Sequence, residues 1–181
     1  MRSIPVVLAF FLLSTASAIA MPADCSKAPV PAGPAKGEVQ GTPFVPSVAE
    51  LASVGSMTQD GVSFTTFRIT IKKPEGDFEA EKADVDFLVP KGKQPDGRSF
   101  HKVPGSISKQ PMAADGLPEI QGWSYRDDAT HLRVTSVFVD KDTLQLNFGK
   151  RAGGKIAGTI YLCAPGDKPL WVGGHFDAAV K

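Results

Sequence analysis

The chain carries only two cysteines, Cys25 and Cys163, and three widely spaced histidines, His101, His131 and His175. The cysteines form no Cys-x-x-Cys pair and have no histidine nearby, which removes the usual spacing of a redox dithiol or a zinc ligand set. The histidines fall in no His-x-His or His-x-x-x-His pattern, so no local segment spells out a metal site. Also lacking are a Gly-x-Ser-x-Gly elbow, a His-Glu-x-x-His helix and a Gly-x-Gly-x-x-Gly phosphate loop, and no cofactor is expected. Net charge is small as well. Without residues 1–20, which hold Arg2 and no acid, 20 − 1 leaves 19 basic side chains against 19 acidic ones. A neutral chain has no field to draw it to nucleic acid or to an anionic membrane surface.

What is present begins at the amino terminus. Arg2 precedes the apolar run "IPVVLAFFLL" and the small-residue stretch "STASAIA". A basic start, a short apolar centre and an Ala-x-Ala end predict a signal peptide over residues 1–20, cut after Ala20, and an exported protein, secreted or periplasmic. No other stretch is apolar enough to span a bilayer, so no membrane span is expected after cleavage. Cys25 follows "PAD", which does not fit a lipid-attachment site. Two cysteines in an oxidising compartment predict one disulfide, Cys25–Cys163.

Residues 21–36, with "KAPVPAGPAK", read as a Pro/Ala-rich extended arm, and residues 37–181 as one domain. Helical periodicity is missing there, and short alternating runs take its place. In "TLQLNFG", Leu144, Leu146 and Phe148 share one face, with Thr143, Gln145 and Asn147 on the other. The pattern predicts an all-β fold, an antiparallel β-sandwich of about eight or nine strands. It ends in a four-strand meander built from "HLRVTSVFV", "TLQLNFG", "GKIAGTIYLC" and "LWVGGHFDAAV". Trp123 and Tyr125, two apart on another strand, read as core residues, with a second surface platform as the alternative. The acids Glu75, Asp77, Glu79, Glu81, Asp84 and Asp86 read as the solvent face of edge strands rather than as calcium ligands. The similar stretches "GEVQGT" and "GKIAGT" read as two strands in which Gly37, Val39, Gly41 and Gly154, Ile156, Gly158 line up on one face.

Candidate binding residues come from two places. If Leu170, Val172 and Phe176 point inward on the last strand, then Trp171, His175 and Asp177 point outward, and Tyr161 joins them from the preceding strand. An aromatic pair beside His175 and Asp177 is a platform for a sugar ring or an extended peptide. The same outer face holds Cys163, so the disulfide also predicts that the arm is drawn across it. The second place is the Gly/Pro-rich stretch between Val89 and Glu119. The stretch, with its basic bias including Arg98 and Lys102, reads as a solvated excursion with one short strand near "RSFHKV", or as a loop for an acidic partner. Together these features predict a non-enzymatic exported binding protein with a glycan or protein ligand. The alternatives are an enzyme, metal-dependent or hydrolytic, built from His131, His175 and nearby acids, and a structural envelope or stress protein without a small ligand.

Overall fold

The computed structural model describes residues 25, 30–74, 81–127, 129–136, 141–167 and 169–181. The expected signal peptide, much of the expected arm, and Glu75, Asp77 and Glu79 lie outside the described residues.

The chain is all-β. In order its strands are β1 (Lys36–Val39), β2 (Thr42–Phe44), β3 (Val48–Gln59), β4 (Val62–Lys72), β5 (Lys82–Pro90) and β6 (Ser99–Lys102). After a short 3-10 turn come β7 (Met112–Ala114), β8 (Leu117–Pro118), β9 (Ile120–Asp127), β10 (Leu132–Ser136), β11 (Thr143–Ala152), β12 (Lys155–Ala164) and β13 (Leu170–Val180). The large sheet runs β10-β9-β5-β4-β3-β13-β12-β11-β6, with β1 added to β13 and β2 to β1. β7 and β8 form a small second sheet. Strand pairing is antiparallel throughout except between β13 and β3.

This one large sheet folds on itself, so that its two halves face each other as a sandwich. Phe87 of β5 meets Phe100 of β6 at 4.6 Å and Phe148 of β11 at 5.4 Å between ring centroids. Those contacts join the β4–β5–β9–β10 half to the β6–β11–β12–β13 half through one apolar core. Alternation explains the layering: Phe67, Ile69 and Ile71 on β4, Val85 and Phe87 on β5, and Leu144, Leu146 and Phe148 on β11 all point into it. Trp123 and Tyr125 are in this core as expected. Tyr125 packs edge-on against Phe44 at 5.6 Å and donates its hydroxyl hydrogen bond to Glu81. Burial first, then that hydrogen bond and the Glu81 charge, push the phenol above its ordinary range and keep it protonated.

Three expectations need correction. The strand count exceeds eight or nine because β1, β2, β7 and β8 have two to four residues each, too few to show a period. The C-terminal meander has three strands rather than four. β11, β12 and β13 are neighbours, but β10 pairs with β9 at the far end of the sheet, where Val134 lies opposite Tyr125. Finally, Asp84 and Asp86 sit on β5, a central strand rather than an edge. Their outer face is satisfied by cross-strand partners. Asp86 accepts two hydrogen bonds from Arg68, at 2.6 and 2.7 Å, and Asp84 accepts from Thr70 at 2.5 Å and from Arg126 at 3.2 Å.

The two Gly-framed stretches also differ from expectation. Gln40 (φ 50°) and Gly41 (φ 82°) are the turn of the β1–β2 hairpin, and Gly153 (φ 55°) and Gly154 (φ 75°) are the turn between β11 and β12. Positive φ at both central positions is the tight hairpin geometry that matches strand twist. The likeness that survives is between Gly37 and Gly158, where there is no room for a side chain. A Cβ on Gly37 would overlap the Trp171 carbonyl, and one on Gly158 would overlap the Phe176 ring and come within 2.5 Å of Asn147 O. Gly158→Ala is therefore expected to destabilise the fold by about 1–3 kcal/mol or more through overpacking. A urea midpoint equal to that of the parent would contradict this packing.

Candidate functional site

The outer face of β11, β12 and β13 is built from the residues that alternate with the core positions. At its lower end stand Tyr161 and Trp171, the expected aromatic platform. They are not exposed. Tyr161 is 1% and Trp171 2% accessible, in a cluster with Cys25 and Cys163 against which Val30 packs. Cys25 and Cys163 are joined as a disulfide, with their Cα atoms 5.5 Å apart. The described part of the arm, Cys25 and Val30, thus lies against the aromatic pair and helps to cover it.

The Gly173-Gly174 pair in "LWVGGHFD" explains how the arm comes so close. A Cβ on Gly173 would lie 2.6 Å from Pro31 Cδ. Gly174 has φ 132°, and a Cβ there would lie 2.7 Å from Pro34 O. Two adjacent residues without side chains let the arm lie flat on β13.

Above this cover, β13 changes partners. The His175 N–H donates to Gly33 O at 2.7 Å, and Ala35 N–H donates to His175 O at 2.8 Å. From Ala178 onward the same edge pairs with β3 instead. The interval between the two partners opens a cleft of about 800 Å³. His175 and Asp177 line it, both exposed, together with Asn147, Thr159 and Lys155. Core-facing Ile71, Phe148 and Phe176 also contribute to its walls, so the cleft has an apolar side and a hydrogen-bonding side. Asn147 Nδ2 donates to Thr159 Oγ1 at 2.9 Å, which fixes the amide's orientation at the mouth.

The fold therefore separates the four outer-face candidates into two pairs. His175 and Asp177 share the cleft, while Tyr161 and Trp171 are covered beside it. Sequence reasoning missed Asn147 and Thr159 as site residues. Their alternation with core positions was visible, but only the register Asn147↔Thr159↔His175 brings them to one place.

Arg98 and Lys102 do not form a joint patch. Arg98 is partly buried and lies over the Phe100 ring at 5.5 Å, while its carbonyl accepts the Phe148 N–H at 2.8 Å. Lys102 is a correction: it points into the interior from the end of β6, with 2% of its side chain accessible. Its ammonium pairs with Asp142, equally buried, and lies 3.5 Å from Ser136 Oγ. Trp123 Nε1 donates to the other Asp142 oxygen. This network ties β6 and the start of β11 to β9 and β10, where the two ends of the folded sheet meet. The physical reason is that a buried charge is tolerated only when paired and hydrogen-bonded, and Asp142 supplies both.

The stretch between Val89 and Glu119 has its expected short strand near "RSFHKV" as β6, and it carries more structure than that. It holds β6, the 3-10 turn, β7 and β8, and the Gln110 side chain clamps Val103 by accepting from its N–H at 3.0 Å and donating to its C=O at 2.7 Å.

His101 stands on β6, His131 in the β9–β10 turn at φ 57°, and His175 on β13. Among the described residues no group of three or more His, Cys, Asp or Glu side chains is placed to hold a metal ion, and no helix is long and apolar enough to cross a membrane. No protein-family model matches the chain, and no curated protein or solved structure matches it either.

Proposed function

We propose that the chain is an exported, non-enzymatic β-sandwich that binds a glycan or a segment of another protein in the cleft beside His175 and Asp177. The cleft itself carries this reading: it sits where β13 changes partners, and it combines rigid strand-borne polar groups with an apolar wall. Export is supported by the signal-peptide pattern of residues 1–20 and by the Cys25–Cys163 disulfide, which persists in oxidising compartments.

His175→Ala and Asp177→Ala remove exposed side chains, so the folded state is expected to tolerate both within about 0.5 kcal/mol. Each should weaken ligand binding about tenfold, the effect of losing roughly 1.4 kcal/mol of polar contact. Isothermal titration of parent and variants with oligosaccharides and with peptides measures this. Binding that is untouched by both substitutions would place the ligand elsewhere.

A further inference from the structure

The cleft is one end of a longer feature. Strand register places Ser99, Asn147, Thr159 and His175 side by side in one row across β6, β11, β12 and β13. All four point to the outer face and are exposed or partly exposed. At the β6 end the row enters a second depression of about 280 Å³, shared with His101 and Gln145, and Asn147 lines both depressions. Neighbouring strands are about 4.8 Å apart, so the row spans roughly 14 Å. It contains amide, hydroxyl and imidazole groups and no carboxylate, ammonium or guanidinium.

From this row we infer that the ligand is a neutral linear oligosaccharide, lying across the strands from the His175 cleft to Ser99. The inference rests on the reading that this face binds a ligand, and it names the ligand's class. Three arguments favour a glycan over a peptide. The row runs perpendicular to the strands, over a sheet face whose main-chain groups are already used in the ladders. A peptide therefore finds no strand edge along it to extend. Side chains alone make the contacts, and Asn147 and Gln145 each offer both a donor and an acceptor, the combination that neighbouring sugar hydroxyls need. The charged groups at the cleft end, Asp177 and Lys155, are of opposite sign, so they give no net advantage to an acidic or basic chain. The inter-strand spacing is also close to the repeat of one hexose ring, so roughly three or four rings match the row.

The test is isothermal titration of the full chain with cellobiose, cellotetraose, maltotetraose and laminaritetraose, with tetragalacturonate and an uncharged octapeptide as comparisons. At least one neutral tetrasaccharide is expected to bind about tenfold tighter than its disaccharide, through the added hydrogen bonds. Ser99→Trp, at the exposed far end, should reduce that tetrasaccharide to disaccharide affinity and leave the disaccharide unchanged. Asn147→Ala should weaken both, while a parent-like urea midpoint reports that its fold is intact. Tighter binding of the uronate at His175 overturns the ligand's neutrality, and tighter binding of the peptide overturns the glycan assignment; both keep the cleft as the site. Neutral glycan binding with no length dependence, or with no response to Ser99→Trp, overturns the extended track. Absence of binding by any probe counts against the cleft as well.

Discussion

Replacing Cys25 and Cys163 by serine is expected to lower the stability of the chain by about 5 kcal/mol, the largest effect of any change considered. The bridge joins residues 138 apart in sequence, and closing so long a loop removes much of the unfolded chain's entropy. The double substitution acts on the folded state too. Without the tether, the arm loses its attachment over Tyr161 and Trp171, and both aromatics gain access to water. Urea denaturation should show a much lower midpoint, and tryptophan emission should shift to the red because Trp171 becomes wet while Trp123 stays in the core. A stability loss under about 1 kcal/mol with unchanged emission would mean that the arm is held by packing alone, and that the bridge only decorates it.

Truncating one partner of the Lys102–Asp142 pair is the next largest. Lys102→Ala leaves the Asp142 carboxylate buried with only the Trp123 indole and no counter-charge, and Asp142→Ala strands both the ammonium and the indole N–H. Each single variant is expected to lose about 3–5 kcal/mol, because the cost is that of an uncompensated buried charge. The double variant Lys102→Met with Asp142→Leu should recover part of that loss, since apolar side chains of similar volume avoid the desolvation of both ions. Recovery stays incomplete while Trp123 Nε1 lacks its acceptor. Denaturant midpoints of Lys102→Ala, Asp142→Ala and the double variant that combines these two alanines form the cycle that measures the coupling. Strict additivity of the two single losses would contradict a shared buried network.

How much of this was legible in the sequence depended on whether the information was local. The core face of β11 follows from Leu144, Leu146 and Phe148 alone, and the core positions of Trp123 and Tyr125 from residue type, since a tryptophan on such a strand more often fills a sandwich core than forms a surface platform. The pairing of Cys25 with Cys163 needed only a count and a compartment. Lys102 is the opposite case. It shares a strand face with Phe100, so alternation places it inside, but a lysine there reads as solvent-facing unless its partner is known. That partner, Asp142, is 40 residues away. The cleft was hidden for a related reason. It arises where β13 exchanges the arm for β3, and a parallel pairing between the first long strand and the last leaves no trace in either segment. The close approach of the arm at the Gly173-Gly174 pair is likewise visible only in the fold.

The central claim is that ligand enters the cleft beside His175 while the aromatic pair stays covered by the arm. Amide and indole NMR spectra of the full chain, recorded during titration with a binding neutral tetrasaccharide, test it most directly. The account predicts shifts at Asn147, Thr159, His175 and Asp177 and a Trp171 indole N–H signal that does not move. A moving Trp171 indole signal with His175 and Asp177 unperturbed would show that the arm yields to ligand and that the aromatic face, not the cleft, is the site.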